Sequence, residues 1–273
     1  MKVNLEKYKH ELSKMVEKGR ITSDTMRTFA SCMRMVAAGC SDKKELKNFL
    51  MKLKRESDFR KYIAAIRTYE KKVIGVDRAL IAEEIHNEIF NEIKKIKPKI
   101  MTINISRDTL FRKINGLKNN KLKLAYRLQL ASGLRVNEIA CLEKKDIIFQ
   151  DGKIQVEVLS GKGNKQRTVS GIEDKYLYSR LSAYVKDLAE DEKLFYSRSY
   201  LMEKANKIGF RTHDLRRIYA KKRFDSGRKK GYSEKKAKKV VKNQLGHTFF
   251  HTTDIYLNSV FENSDKGGVE DED

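Results

Sequence analysis

Two short segments of the chain place a basic side chain beside residues that bend the backbone. Gly133 is predicted to end a helix and Arg135 to begin the next turn, where Glu138 lies three residues on along the same helical face. A guanidinium held in this way can bind a phosphate through two parallel hydrogen bonds. Farther along, Lys162 stands between two glycines in a turn, from which its amine can deliver a proton or a charge to one oxygen.

A third segment combines an imidazole with a second guanidinium. Thr212 is a suitable N-cap residue, and His213 and Arg216 then lie one turn apart on one face of the helix that follows. An imidazole titrates near neutral pH, whereas a guanidinium keeps its charge. The pair is therefore suited to moving a proton next to a phosphate oxygen.

A fourth segment ends on a phenol. Gly246 ends one helix, His247 follows it, and Thr252 or Thr253 caps another helix in which Tyr256 lies about one turn from the start. A phenol has a pKa of about 10 and attacks phosphorus poorly at neutral pH unless a neighbouring base and a positive field assist it.

Each of these segments also has an ordinary structural explanation. Gly133 and Arg135 fit a helix-turn-helix bend with a surface arginine–glutamate pair, and Lys162 fits a basic turn that touches phosphates loosely. A histidine and an arginine three residues apart often occur by chance, and a tyrosine is most often a core or rim residue. Taken one at a time, the segments therefore do not identify an enzyme.

The composition favours a polyanionic partner. The chain has 273 residues with 60 Lys and Arg against 37 Asp and Glu, a formal net charge of +23, and most of the excess lies after residue 98. Such a charge causes self-repulsion and is most simply explained by nucleic acid. No apolar run has the length of a bilayer span and no lipid-anchor motif is present, so we expect a cytoplasmic, nucleoid-associated protein that does not bind membranes.

The sequence holds no signature of a cofactor or metal site. It has no glycine-rich loop ending in Gly-Lys-Ser or Gly-Lys-Thr, no His-Glu-x-x-His and no Cys-x-x-Cys. Cys32, Cys40 and Cys141 have the spacing of neither a zinc site nor a disulfide framework. We therefore expect no cofactor and no required metal.

The hydrophobic pattern predicts a mainly α-helical chain with one small antiparallel β-sheet. Residues 1–98 have the pattern of a run of helices up to the only proline, Pro98, where we place a domain boundary. In the second domain, 99–261, the hairpin signal Asp151-Gly152 joins the first two of three strands, 147–150, 154–159 and 166–169. Later helices are predicted over 173–189, 199–207, 213–225, 233–244 and 252–260. Residues 262–273 are predicted to form an acidic tail.

Taken together and in order, the four segments resemble the tyrosine recombinase family of phage-type integrases. The matching stretches are SGLRVNEIACL, GKGNKQRTV, HDLRR and LGHTFFHTTDIY, which lie within residues 131–256. The resemblance depends on their order, on the hairpin between the first two basic groups, and on the nine-residue step from His247 to Tyr256. It implies a helical DNA-clamp (core-binding) domain with a connecting helix over 1–98 and a catalytic domain over 99–261.

The resemblance also implies which groups make and break bonds. Tyr256 would attack a DNA phosphate, forming a 3′-phosphotyrosine link and freeing a 5′-hydroxyl. His213 would assist removal of the proton from Tyr256, and Lys162 would protonate the leaving oxygen. Lys165 would replace Lys162 if the turn had a different register. Because one ester is exchanged for another, resealing would need no ATP.

The remaining groups would bind the phosphate. By the same resemblance, Arg135 and Arg216 would hold the non-bridging oxygens, His247 would donate a hydrogen bond to the phosphate, and Glu138 would support Arg135. The expected partner is double-stranded DNA, bound by a homotetramer on two sites, and a role for accessory DNA-bending proteins is left open.

Two other functions stay open at the level of the sequence. The same cleavage chemistry without strand exchange would give a type IB topoisomerase-like enzyme that relaxes DNA. A helix-turn-helix bend at Gly133 without cleavage would give a non-catalytic DNA-binding regulator. The residues also leave open whether Tyr256 acts in its own subunit or in a neighbour's.

Overall fold

The chain folds as two units, each built on its own hydrophobic core. The computed structural model describes residues 3–78, 80–94, 102–103, 105–159 and 166–261. The two units are Met1–Lys99 and Ile100–Asp273. Their division lies beside Pro98, which, like the acidic residues 262–273, falls outside the described residues.

The first unit is helical. Side chains of Asn4, Thr22 and Asp42 accept hydrogen bonds from backbone N–H groups three residues later and so start the first three helices. The fourth helix continues into a π-helical turn, Glu70–Ile74. The helices described here are α1 (Leu5–Glu17), α2 (Ser23–Gly39), α3 (Lys43–Met51), α4 (Glu56–Tyr69) and α5 (Leu80–Lys94).

The core of the first unit follows the helical spacing of its apolar residues. Within it, the buried carboxylate of Glu70 accepts hydrogen bonds from the backbone N–H groups of Ile81 and Ala82, which are otherwise unpaired donors at the start of α5. The largest fully buried side chains of this core are Tyr8, Leu12, Met33, Leu46, Leu50, Phe59, Ile66, Ile85 and Ile89.

The second unit combines helices with a small sheet, which confirms the predicted fold class. Its helices are α6 (Arg107–Asn115), α7 (Asn120–Ser132), α8 (Val136–Cys141), α9 (Lys175–Val185), α10 (Arg198–Ile208), α11 (Thr212–Lys229), α12 (Glu234–Leu245) and α13 (Phe250–Leu257). Its strands are β1 (Thr102–Ile103), β2 (Ile147–Gln150), β3 (Lys153–Val158), β4 (Arg167–Ile172) and β5 (Val260–Phe261).

Strands β2, β3 and β4 form an antiparallel sheet in that order. Asp151 and Gly152, with φ of 48° and 70°, form the predicted tight turn between β2 and β3. Strand β4 runs on to Ile172, three residues beyond its predicted end, because Ile172 is buried and pairs with Ile154. Alternating buried residues of β3 face the core and pack against α9, and Val169 and Ile172 of β4 are buried in the same core.

A second sheet was not predicted from the sequence. Thr102 pairs with Val260 and Ile103 with Phe261, so β1 and β5 form a parallel pair. Strands of two residues are too short to show an alternating pattern, and pairing over such a separation leaves no local signal. The predicted helix over 252–260 is consequently too long, because α13 ends at Leu257 and the chain then enters β5.

A small buried cluster joins α11, α12 and α13 of the second unit. Tyr219 and Ala220 of α11 contact Val241 and Leu245 of α12, and Tyr256 of α13 packs against them. This cluster fixes the carboxyl end of α12 between α11 and α13. Within the described ranges, no helix has both the length and the apolar character needed to cross a membrane.

Candidate active site

Five of the six predicted catalytic residues lie in the described part of the chain, and hydrogen bonds and ring contacts connect them. Direct contacts pair Arg216 with His247 and Tyr256 with His213, and Arg135 bonds to the backbone next to His247. Lys162 and its alternative Lys165 lie outside the described residues. Arg135 lies at the start of α8, and His213 and Arg216 lie in the first turns of α11. His247 follows the end of α12, and Tyr256 lies near the end of α13.

The bend between α7 and α8 depends on Gly133. Its φ is +67°, a left-handed conformation that favours glycine, and a Cβ at this position would lie 2.3 Å from Cδ1 of Tyr219. The carbonyl oxygen of Gly133 accepts a hydrogen bond from Nη1 of Arg216. Gly133 therefore brings the backbone of the bend close enough to α11 for Arg216 to hold it.

Gly133→Ala is expected to destabilise the second unit by more than about 2 kcal/mol, because left-handed strain adds to an overlap with a buried ring. Urea unfolding followed by circular dichroism measures this loss. Gly152→Ala is the matched control, since Gly152 has a φ of +70° but no atom within 4 Å of its Cβ position. Equal losses for the two variants would show that contact with Tyr219 is unimportant.

Arg135 is held by Glu138, as the spacing predicts. The backbone N–H of Arg135 donates to Oε2 of Glu138 over 2.7 Å, and its Nη1 donates to Oε1 over 2.8 Å. The Glu138 side chain is 2% exposed and that of Arg135 is 22% exposed. The guanidinium is thus held by Glu138 and by the carbonyl oxygen of Gly246, and it remains partly exposed to solvent.

Glu138 also accepts two hydrogen bonds from Arg167, a residue that the sequence did not identify as part of the site. Burial raises the pKa of Glu138, but Arg167 and Arg135 outweigh this effect and hold the pKa at about 2 instead of the usual 4.5. Glu138 is therefore a carboxylate at physiological pH and balances part of the local positive charge.

Arg216 is fully buried. Its Nη2 donates to the carbonyl oxygen of Leu245 and lies 3.1 Å from Nε2 of His247, while its Nε has no hydrogen-bond partner in the described residues. Burial, followed by the charge of Arg135, lowers the pKa of Arg216 to about 10. The side chain remains a cation near pH 7, held in a position where water does not screen it.

The carboxyl end of α12 orients three arginines. The last carbonyl groups of a helix have no partner within the helix, and they carry the negative end of the helix dipole. Here each of three successive carbonyl oxygens accepts from a different guanidinium, so that one helix end fixes the spacing of the cations. The pairs are Gln244 with Arg167, Leu245 with Arg216, and Gly246 with Arg135.

His247 is a neutral imidazole in this arrangement. Burial and the nearby Arg216 and Arg135 lower its pKa to about 3. Because a guanidinium can only donate, Nε2 of His247 accepts from Arg216, and Nδ1 carries the hydrogen that is donated to Oγ1 of Thr253 over 3.0 Å. Both ring nitrogens of His247 are thus engaged within the protein.

The prediction that Thr252 or Thr253 caps the last helix is wrong. Helix α13 begins two residues earlier, at Phe250, and its N-cap residue is Phe249. Thr253 is fully buried within the helix, where its hydroxyl contacts the imidazole of His247. The buried imidazole of His247 needs a hydrogen-bond partner, and Thr253 supplies it. No local sequence pattern reveals this requirement.

The start of α11 places His213 on the site. The predicted cap, Thr212, is instead the first residue of the helix; Arg211 is the N-cap, and its N–H donates to Asp214 over 3.0 Å. Asp214 also binds Nη1 of Arg217 at 2.7 Å, so the first turn is fixed from both sides. Arg135 begins α8 in the same manner, with an acidic residue three positions on.

Tyr256 lies beside two histidines of its own chain, His213 and His247. Its hydroxyl oxygen is 3.2 Å from Nδ1 of His213, and its ring centre is 4.9 Å from that of His247 and 5.7 Å from Cζ of Arg216. Desolvation and the charges of Arg216 and Arg217 lower the pKa of His213 below 6.5, although the residue is partly exposed. A neutral His213 can accept the hydroxyl proton of Tyr256.

Arg167 could have been found from the strand period. Arg167 and Val169 are two residues apart in β4 and lie on the same face of the strand, and Val169 is fully buried. Because Arg167 shares a strand face with a buried residue, its position predicts a buried cation. A buried cation in turn needs an acidic or polar partner. The partner, Glu138, lies 29 residues earlier, which no local pattern reveals.

A cavity of about 280 Å³ lies elsewhere in the second unit, and none of the five described catalytic candidates lines it. Tyr219 and Gln244 form part of its wall, and both residues also contact the framework of the site. The described residues contain no group of three or more His, Cys, Asp or Glu side chains arranged to hold a metal ion.

Comparison with known proteins finds similarity in both sequence and fold. The chain is 32% identical over 158 residues to tyrosine recombinase XerA of Saccharolobus solfataricus; the match covers 55% of this chain, and the chain spans about half the length of that curated relative. A lambda integrase dimer bound to a COC′ core site shares the fold, with a TM-score of 0.61, 17% identity and coverage of 98% of this chain and 81% of that one.

A second solved structure with this fold is a lambda integrase tetramer bound to a Holliday junction, with a TM-score of 0.56, 15% identity and coverage of 99% of this chain and 80% of that one. Residues 108–263 match the sequence pattern of the phage integrase family. This match covers more than half of the chain, and all five described catalytic candidates lie within it. The protein therefore belongs to the phage integrase family.

Proposed function

We propose that this protein is a site-specific DNA recombinase that cleaves and rejoins DNA through a 3′-phosphotyrosine intermediate without ATP. The observation that carries the proposal is the 3.2 Å contact between the Tyr256 hydroxyl and His213, next to two fixed guanidinium groups of the same chain. Membership in the phage integrase family and a relative named as a tyrosine recombinase support it.

In the proposed cleavage step, Tyr256 transfers its hydroxyl proton to Nδ1 of His213 as its oxygen attacks phosphorus. The bond from phosphorus to the 5′ oxygen breaks, and Lys162 supplies the proton that this oxygen needs to leave as a hydroxyl. The lowered pKa of His213 keeps its ring neutral and able to accept near pH 7. Because Tyr256 contacts His213 of its own chain, we propose cleavage within one subunit.

Arg135 and Arg216 would bind the non-bridging oxygens of the phosphate. Arg135 is open to solvent, and Nε of Arg216 is a buried donor without a partner in the described residues. Buried donors in native proteins usually have a partner, so a phosphate oxygen is a suitable acceptor for this N–H. Fixed cations of this kind stabilise the charge that develops in phosphoryl transfer.

His247 requires a rearrangement for the role that the resemblance implies. To donate a hydrogen bond to the phosphate from Nε2, it must first lose the contact with Nη2 of Arg216, which occupies that nitrogen. Its hydrogen must also move from Nδ1 to Nε2, after which Nδ1 accepts a hydrogen bond from the hydroxyl of Thr253. A bound phosphate would compete for this guanidinium group and so free the imidazole nitrogen. We therefore propose that Arg216 and His247 turn to the phosphate together when DNA binds.

The proposed oligomeric assembly is the one that the family resemblance implies. We propose a homotetramer on two duplex sites, with the second unit as the catalytic domain and Met1–Lys99 as the DNA-clamp domain. The fold shared with a lambda integrase tetramer on a Holliday junction is compatible with such an assembly. The formal charge of +23 supports binding to duplex DNA.

A suicide substrate tests the cleavage reaction. Duplex DNA carrying a target site with a nick next to the cleaved phosphate loses its short leaving strand, so we expect the wild-type protein to become trapped as a covalent adduct. The adduct is measured as a shifted band in a denaturing gel. Complete absence of an adduct on DNA that the protein binds would favour the non-catalytic regulator.

A substrate with two sites separates the two cleavage functions. Recombination joins strands from two different duplexes, whereas a type IB topoisomerase-like enzyme returns each strand to its own partner. We expect joined products from two labelled duplexes. Relaxation of supercoiled DNA with no joined product would support the topoisomerase-like alternative.

A further inference from the structure

Arg167 is bound on all sides by the framework of the proposed active site. Its Nη1 and Nη2 donate to the two carboxylate oxygens of Glu138 over 2.9 and 2.7 Å, and its Nε donates to the carbonyl oxygen of Gln244 over 3.1 Å. Its aliphatic stem lies against Gly246, where a Cβ would come within 3.1 Å of Cδ of Arg167. One side chain thus connects β4, α8 and the end of α12.

These contacts leave Arg167 poorly placed to bind DNA directly. Its side chain is 12% exposed, compared with 22% for Arg135, and all three of its nitrogen atoms donate within the protein. A parallel two-bond pair with a carboxylate is a rigid arrangement of an arginine. Arg167 therefore differs from Arg135, which Glu138 and Gly246 hold but whose side chain remains more exposed to solvent.

We infer that Arg167 is a positioning residue that holds Glu138 and the carboxyl end of α12 in place, and that through them it orients Arg135 toward the DNA phosphate. Glu138 and Gly246 are the two residues that bind the guanidinium of Arg135, and Arg167 contacts both. The inference rests on the proposed function, because the phosphate is the group toward which Arg135 is aligned.

Removal of Arg167 has a consequence for the charge of Glu138. Burial raises the pKa of this carboxyl, and Arg167 contributes most to the opposing effect that holds it near 2. Without Arg167 the pKa of Glu138 rises, and the protonated carboxyl no longer offers Arg135 a charged acceptor. Other charged or titratable groups near Glu138 are Arg135, Arg216, His247, Cys141, Glu143, Lys145, Asp146 and Glu157.

The test is the rate of adduct formation in a single turnover, measured on the suicide substrate from pH 5 to pH 8. Arg167→Ala is expected to slow cleavage on the order of 10²-fold, the scale for a misplaced catalytic group. The ratio of its rate to the wild-type rate should fall as the pH is lowered, since Glu138 then takes up a proton in the variant alone. Arg167→Lys, which keeps one charge but not the planar fork, should recover part of the rate.

A second substitution separates positioning from a general loss of structure. In Arg167→Ala/Glu138→Gln the titrating carboxyl is gone, so the pH dependence of the rate ratio should disappear while cleavage stays slow. Lys153→Ala, which removes an exposed cation from the same sheet, serves as the matched control and should cleave at the wild-type rate. Thermal melts of all variants check that the second unit remains folded.

DNA affinity distinguishes positioning from direct contact. Because Arg167 is not expected to neutralise a phosphate, the dependence of binding on salt should be the same for Arg167→Ala and the wild type. A salt slope smaller by about one would mean that Arg167 contacts DNA itself, and this would overturn the inference. If the wild type forms an adduct and Arg167→Ala forms it at the same rate at every pH, the inference fails and the proposed function stands. If the wild type forms no adduct, the proposed function fails, and the inference that rests on it fails with it.

Discussion

Tyr256→Phe is expected to abolish the covalent protein–DNA adduct while DNA affinity stays within about threefold of the wild-type value. The substitution removes the only atom of this side chain that can attack phosphorus. It keeps the ring, which packs against His247 and against the buried cluster below the site. A phenyl ring in the same position cannot form an ester, so the loss should be complete.

Two measurements make this result specific. Adduct formation is scored on the nicked substrate in a denaturing gel, and affinity is measured on an intact duplex. Tyr176→Phe is the matched control, because Tyr176 is an exposed tyrosine of α9 outside the proposed site. An adduct of undiminished yield from Tyr256→Phe would mean that another residue is the nucleophile.

Arg135→Ala is expected to slow cleavage by roughly 10²- to 10³-fold, the scale for the loss of one fixed donor to a charged oxygen. The variant should remain folded, because Glu138 keeps its two hydrogen bonds to Arg167 and the backbone N–H of residue 135 is retained. Arg216 is a poorer choice for this test, since its removal also leaves the buried carbonyl of Gly133 without its donor.

The rate is measured in a single turnover at saturating protein, so that weaker binding does not contribute. Arg180→Ala on α9 is a control for the loss of one exposed arginine and should cleave at the wild-type rate. A slowing of less than threefold in Arg135→Ala would show that this residue does not bind the reacting phosphate.

Local patterns were sufficient for most of the elements. The Asp151-Gly152 turn carries its own conformational preference, and Gly133 and Gly246 mark helix ends because both adopt a left-handed conformation. The observed helix boundaries differ from the predicted ones where the end of a helix takes part in tertiary contacts. Helix α13 starts at Phe250, which places Thr253 inside the helix beside His247, and it stops at Leu257, after which the chain pairs with β1.

In the candidate site, too, some contacts could be predicted from local spacing and others could not. Glu138 could be assigned to Arg135 because the two residues are one helical turn apart, and His213 and Arg216 could be paired for the same reason. Arg167 was missed, since its importance lies in a partner on another element. The neutral state of His247 was also hidden, because it results from burial and from arginines that approach from α8 and α11.

The sequence by itself determined the fold class, the order of the candidate catalytic groups along the chain and their local spacing, because helix ends, tight turns and one-turn pairs depend on neighbouring residues. The tertiary structure alone decided that the end of α12 would collect three guanidinium groups, and that Tyr256 would meet His213 across 43 residues. The physical reason is that buried donors, acceptors and charges must find partners, and the nearest partner in space is set by how the helices meet and not by their order in the chain.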